Sequence, residues 1–238
     1  MKKMARNALA ALIAVVAVGG TGLAWLEYAS SHDPHYASVV SISRTREFQD
    51  PAVLERAWAL PVAAAYRHGG YEYQANPSFC GPASAANVLH SEGVIATQWS
   101  VLSGSGIHPI FGLLPIGITL DREAALLRVS TRQHVTVLRD LGLGEFRAQL
   151  AQANDLSKRY IVNFHRGPLF GEGHGHFSPI LGYFEDKDLV FVGDVNHDYM
   201  PFVVSSARLF DAMNTVDSAS GLKRGLLVID ADVQQPAP

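Results

Sequence analysis

Two apolar runs in the second half of the chain constrain the fold most. They cover residues 176–184 and 188–195, and only Glu185-Asp186-Lys187 separates them. Two such runs joined by a short polar turn are typical of a β-hairpin. The sequence therefore predicts antiparallel strands in this region.

Helical patterns precede this hairpin, and shorter strand patterns surround it. Helices are predicted over 51–67, 80–90, 121–128, 143–158 and 206–213, and strands over 135–138, 160–164 and 225–230. The stretch from residue 27 to about residue 60 is polar and mixed, with turn signals at Asp33-Pro34 and Asp50-Pro51. A loop rich in Gly, Pro and Ile is expected over 103–119. Helices first and a mostly antiparallel sheet afterwards predict an α+β fold.

The N-terminus has the pattern of an export signal. Lys2, Lys3 and Arg6 precede the apolar residues 8–26, as in a secretory signal peptide. Cleavage after Ala24 is one alternative, and an uncleaved membrane anchor through residues 8–26 is the other, because a span needs about 20 residues. Both predict an exported chain, either soluble in the periplasm or anchored to the inner membrane. We therefore expect a leader over 1–30 and a catalytic domain over 31–238.

Composition excludes several classes of function. The net charge of −3 gives no basic surface for nucleic acid. The ten histidines and the cysteine do not have the spacing of a structural zinc site. Because Cys80 is the single cysteine, an intramolecular disulfide is excluded.

Cys80 is the candidate nucleophile. A lone cysteine is more often a small buried apolar residue, but Cys80 is followed by Gly81-Pro82, and proline suits the first turn of a helix. The partial positive charge of a helix start stabilises a thiolate and lowers the pKa of the thiol. The position thus favours a reactive cysteine.

A base and its partner follow from the hairpin. His176 begins the first apolar run and Asp194 lies near the end of the second, so the two are expected side by side across the strands. The aspartate would orient the imidazole, which would take the proton of Cys80. Gln74, six residues before Cys80, is expected to form an oxyanion hole with the Cys80 backbone amide. The sequence predicts a triad of Cys80, His176 and Asp194.

These motifs resemble the phytochelatin synthase family, also called glutathione gamma-glutamylcysteinyltransferases, whose fold is papain-like. The matching stretches are Gln74 with 77–84, then 175–183, 194–195 and 217–229. The resemblance implies a bacterial short form, because the Cys-rich C-terminal domain of eukaryotic members has no counterpart in a chain with one cysteine.

The resemblance also implies a reaction and a substrate. Cys80 would attack the Cys–Gly bond of glutathione, glycine would leave, and a γ-glutamylcysteinyl thioester would remain. Water would then give γ-Glu-Cys, and a second glutathione a phytochelatin. Asp217 and Arg224 would bind the γ-glutamyl ammonium and carboxylate, and Phe79 and Gly175 would line the acyl site. No tightly bound cofactor and no metal site on the protein are implied, since cadmium or zinc acts through the glutathione thiolate.

Other interpretations remain open. Residues 196–201 depart from the family's acceptor motif, which favours hydrolysis over transfer. A papain-like peptidase of the bacteriocin-leader type, cutting after two glycines, shares the motif around Cys80. An envelope-anchored binding module with the same fold is the non-catalytic alternative. A monomer and a homodimer are both compatible with the sequence.

Overall fold

The computed structural model describes residues 34–114 and 117–231, together with 6, 7, 9, 13, 14 and 16–22. The chain divides into two compact units, Met1–Ser38 and Val39–Pro238. In the first unit the described residues are helical. No helix within the described ranges is long and apolar enough to cross a membrane. Most of the predicted leader, 1–30, lies outside the described residues, so its boundary and its cleavage stay predictions.

One antiparallel sheet organises the second unit. Its six strands have the order β1-β6-β2-β3-β4-β5. They are β1 Val135–Leu138, β2 Lys158–His165, β3 Gly175–Phe184, β4 Leu189–Val192, β5 Phe202–Ser205 and β6 Leu226–Asp230. The predicted hairpin is β3 and β4, joined by a 3₁₀ turn at Glu185–Lys187. β5, which pairs with β4, was missed by the sequence analysis.

The helices lie mainly before the sheet in the chain. They are α1 Pro34–Ser43, α2 Arg46–Gln49, α3 Pro51–Trp58, α4 Pro61–Gly69, α5 Cys80–Ser91, α6 Leu120–Thr131, α7 Leu143–Leu150, α8 Gly167–Phe170 and α9 Ser206–Met213. A further 3₁₀ turn covers Ser100–Leu102.

Two helix predictions and one loop prediction needed correction. The helix expected over 51–67 is split, because Pro61 forces the preceding Leu60 into an extended conformation. The helix expected over 143–158 ends at Leu150 and continues as turns. The region expected to be loops from residue 27 to about residue 60 contains α1 and α2 as well as α3.

α5 is the central helix of the unit. Every residue from Gly81 to Leu89 is buried, so this helix has no solvent-exposed face over that length. It packs against β3 of the sheet and against α4 and α6. Cys80 begins this helix, and the strand it faces carries His176. The predicted α+β fold, with Cys80 at a helix start and His176 on an antiparallel sheet, is thereby confirmed.

Candidate active site

The start of α5 lies against the first strand of the hairpin. The Cys80 thiol is within hydrogen-bonding reach of the backbone N–H groups of Phe177 and Gly81. Since Phe177 follows His176 directly, the thiol lies against the part of the strand backbone that carries the candidate base. The residue keeps some exposed surface, so a substrate can approach it.

The thiol does not have the lowered pKa that its helix position predicts. Burial raises the pKa of Cys80 to about 11, and the lowering contribution of the Phe177 and Gly81 amides is smaller. The expected effect of the helix start is therefore outweighed by desolvation. At neutral pH the resting cysteine is a thiol, and a base must remove its proton during attack.

His176 and Asp194 meet as the hairpin predicts. Nε2 of His176 lies 3.0 Å from Oδ1 of Asp194, and both side chains are buried. The strand β4 ends at Val192, and the Gly193 N–H donates to the Pro179 carbonyl, which brings Asp194 back toward β3. With Nε2 turned to the carboxylate, Nδ1 is the ring nitrogen left for Cys80.

Arg166 is a site residue that the sequence analysis missed. Its Nη2 donates to both carboxylate oxygens of Asp194, at 2.7 Å and 2.6 Å. Its guanidinium carbon lies 3.7 Å from the centroid of the Tyr199 ring, a cation–π geometry. The residue follows β2 directly, and nothing in its local sequence distinguishes it from an exposed arginine. Only the folded structure, which brings Arg166 to Asp194, identifies it as a site residue.

The three buried groups form one electrostatic unit. Burial would raise the pKa of Asp194, but Arg166 and His176 hold it at about 2. Burial lowers the pKa of His176, and Arg166 lowers it further, while Asp194 acts in the opposite direction. At neutral pH the unit is therefore an ionised aspartate, a charged arginine and a neutral imidazole, which is the form that can accept a proton.

Gln74 is held beside this unit by its backbone. Its N–H donates to the Val195 carbonyl at 2.7 Å, next to Asp194 in the chain. The segment is fixed from the other side as well. The Asn87 side chain, on α5, accepts from the Glu72 N–H and donates to the Glu72 carbonyl. The Gln98 side chain donates to the Tyr73 carbonyl and accepts from the Ala75 N–H.

A second charged pair lies at the beginning of β3. Nη2 of Arg224 donates to Oδ1 of Asp217 at 3.4 Å, and Nη1 donates to the Val216 carbonyl at 2.6 Å. A Cβ on Gly175 would lie 2.5 Å from Nη2 of Arg224. The guanidinium therefore packs against the glycine that precedes His176, and Asp217, Arg224 and Gly175 come together as one cluster.

Phe79 does not join either group. Its side chain is fully buried, with its ring centroid 4.7 Å from that of Trp99. In this structure the Phe79 ring is part of the apolar core beneath α5. That Phe79 lines the acyl site stays a prediction from the family resemblance.

Comparisons with known proteins find relatives of this chain. A model of the phytochelatin synthase family matches residues 49–226. Glutathione gamma-glutamylcysteinyltransferase 3 of Lotus japonicus is 32% identical over 179 residues, which cover 70% of this chain and 37% of that protein. Glutathione gamma-glutamylcysteinyltransferase 1 of Triticum aestivum is 31% identical over 178 residues, which cover 70% and 36%.

A solved structure gives a weaker likeness. The peptidase domain of Streptococcus ComA has 16% identity and a TM-score of 0.46, and the match covers 68% of this chain and 97% of that domain.

The chain spans little more than a third of the length of the two plant relatives. On the strength of the model match over 49–226, the chain belongs to the phytochelatin synthase family.

Proposed function

We propose that this protein is a cysteine-dependent acyl transferase that acts on glutathione. The observation that carries the proposal is the buried contact of 3.0 Å between His176 and Asp194, beside a cysteine at the start of a buried helix. Family membership supplies the substrate, since the plant relatives are named glutathione gamma-glutamylcysteinyltransferases.

In the first step, Sγ of Cys80 attacks the carbonyl carbon of the Cys–Gly bond of glutathione. His176 takes the thiol proton as the S–C bond forms, because the resting thiol has a pKa of about 11. The same imidazolium then protonates the leaving nitrogen, the C–N bond breaks, and glycine departs. A γ-glutamylcysteinyl thioester remains on Cys80.

In the second step, His176 takes a proton from the incoming nucleophile as it attacks the thioester carbonyl. The C–S bond breaks, and the imidazolium returns the proton to Sγ of Cys80. Water gives γ-Glu-Cys, and the amino group of a second glutathione gives a phytochelatin. Asp194 and Arg166 keep the imidazole oriented, and the ionised Asp194 stabilises its charged form in both steps. The Gln74 amide and the Cys80 backbone N–H would receive the developing oxyanion.

The cluster at Gly175 suits the γ-glutamyl end of the substrate. Arg224 pairs with a carboxylate and Asp217 with an ammonium, and the two side chains are already 3.4 Å apart. An α-amino acid group carries both charges in that proximity. The cluster adjoins His176 through Gly175, so binding there would direct the rest of glutathione toward Cys80.

Replacing Gly175 with alanine should weaken substrate binding. The new Cβ would lie 2.5 Å from Nη2 and 3.1 Å from Nε of Arg224, so the guanidinium must move. We expect KM for glutathione to rise about tenfold with kcat changed less. The matched control is Gly144→Ala, because nothing lies within 4 Å of the added Cβ and KM should not change. A G175A enzyme with unchanged KM would remove Arg224 from the binding site.

The substrate is tested by product analysis. The purified catalytic domain, residues 31–238, would be incubated with glutathione, with or without cadmium, and separately with peptides that contain two adjacent glycines. We expect free glycine and γ-Glu-Cys from glutathione, and no product from the Cys80→Ala variant. Cleavage of the double-glycine peptides with glutathione untouched would replace the proposal with a peptidase function. Binding without turnover of either would favour a binding module.

Metal and location form a further part of the proposal. We propose that cadmium or zinc enters as a complex with the glutathione thiolate, so that metal would raise the yield of longer products.

We also propose export to the periplasm, supported by Lys2, Lys3 and Arg6 before the apolar residues 8–26. Fractionation of cells that express the full chain, with and without this segment, tests the export. Sedimentation of the purified protein separates a monomer from a homodimer.

A further inference from the structure

A buried carboxyl group close to the nucleophile has no role in the mechanism above. Glu123, on α6, is fully buried. Neither of its carboxylate oxygens has a hydrogen-bond partner within the described part of the chain. An unpaired buried carboxyl is costly to stability and is uncommon in folded proteins. Such a group is more readily explained by a function than by packing.

The carboxyl touches the residue that follows Cys80. A Cβ built on Gly81 would lie 2.5 Å from Oε2 of Glu123 and 2.4 Å from Cδ1 of Ile118. Glu123 and Ile118 thus fill the space against the first turn of α5. The absence of a side chain on Gly81 is what permits this close approach.

Few other charges act on Glu123. Burial raises the pKa of Glu123 to about 8, so the group is uncharged at neutral pH. The negative charge of an ionised Glu123 raises the pKa of the Cys80 thiol, while Arg166 lowers the pKa of that thiol.

The elements packed on α6 are α5, β1, β6 and the turn Ser100–Leu102. Their titratable residues are Cys80, His90 and Asp230, of which His90 bonds the Gly70 and Ala96 carbonyls and Asp230 pairs with Lys158.

We propose that Glu123 is a positioning residue for Cys80, acting through the contact of its carboxyl with Gly81 and, when ionised, through its charge. The proposal rests on the proposed function only in taking Cys80 as the nucleophile. The uncharged carboxyl supports the first turn of α5, which keeps the thiol against the Phe177 amide. The ionised carboxylate opposes formation of the Cys80 thiolate and sets an alkaline limit on reactivity.

The chain offers a direct test because Cys80 is its single cysteine. The rate of alkylation by iodoacetamide, a neutral reagent, therefore reports on this thiol alone. We expect Glu123→Gln and the wild type to react at equal rates at pH 6, where the side chain at position 123 is uncharged in both proteins. At pH 9 the variant should react about tenfold faster, which corresponds to one unit in the pKa of the thiol.

Two further variants separate charge from packing. Glu123→Met fills a similar volume without a titratable group and should show the same gain at pH 9. Glu55→Gln changes an exposed glutamate on α3 and should match the wild type at every pH. In addition, the alkaline limb of kcat/KM for glutathione should move to higher pH in both Glu123 variants.

The outcomes distinguish this inference from the proposed function. Equal alkylation rates at pH 9, or the same change at pH 6 and pH 9, would overturn the role of the Glu123 charge, since a packing defect acts at any pH. Failure of both Glu123 variants to fold would also overturn it, because a neutral side chain of similar size should be accepted. The alkylation assay needs no glutathione, so a wrong substrate leaves this result unaffected.

Discussion

Replacing His176 with asparagine is expected to lower kcat by about a thousandfold, because general acid–base catalysis contributes about 10²- to 10⁴-fold. Burial lowers the pKa of His176 and raises that of Cys80 to about 11. The resting pair is therefore uncharged, and in the proposed mechanism the cysteine depends on His176 for its deprotonation. Asparagine is polar and similar in size but cannot accept this proton. Glycine release at pH 7.5 measures the effect.

The fold should survive this substitution. Asp194 keeps its two contacts with Arg166 at 2.7 Å and 2.6 Å, so no buried charge loses its counter-ion. The matched control is His68→Asn on the exposed end of α4, with unchanged kcat. A loss of less than tenfold for H176N would mean that another group takes the thiol proton.

Replacing Arg166 with methionine should have the largest effect on stability. Asp194 would be left buried without its counter-ion, and breaking a buried ion pair in this way costs about 3–5 kcal/mol of the free energy of unfolding. The stacking on Tyr199 at 3.7 Å is lost as well. Chemical denaturation at pH 7 measures the change. Arg46→Met breaks an exposed pair with Asp50 and should cost less than about 1 kcal/mol.

The pH dependence of stability gives a second readout for Arg166. In the wild type the pKa of Asp194 is about 2, below its ordinary value of 3.8. Its contribution is therefore present above pH 3.8 and is lost as the pH falls toward 2. In R166M the lowering contribution of the guanidinium is lost, so the pKa of Asp194 rises from about 2 and less stability is lost on acidification. An R166M protein as stable as R46M would contradict the structural role of the pair.

The candidate triad follows from local sequence patterns because each member lies at the end of a strongly marked element. Gly81-Pro82 indicates the start of a helix, and the turn 185–187 fixes which ends of β3 and β4 meet. A hairpin has short-range geometry, so His176 and Asp194 could be paired before any tertiary information. The helix α5 was likewise predicted over 80–90, but its burial on every side from Gly81 to Leu89 was not.

Arg166 and Glu123 could not be found in this way. Each is separated from its partner by many residues, 28 in the case of Arg166 and Asp194. Their burial depends on how β2 and α6 pack against the rest of the unit, which local periodicity does not encode. The raised pKa of Cys80 has the same origin, since desolvation by distant residues outweighs the local helix start.

The acyl-enzyme is the most direct test of the account. Wild-type protein would be mixed with glutathione, quenched with acid during turnover and digested, and the peptide that contains Cys80 would be weighed by mass spectrometry. We predict a γ-glutamylcysteinyl adduct on Cys80 that hydroxylamine removes, as expected for a thioester, and that the Cys80→Ala variant lacks. Steady release of glycine with an unmodified Cys80 peptide at every quench time, or with an adduct on another residue, would contradict the account.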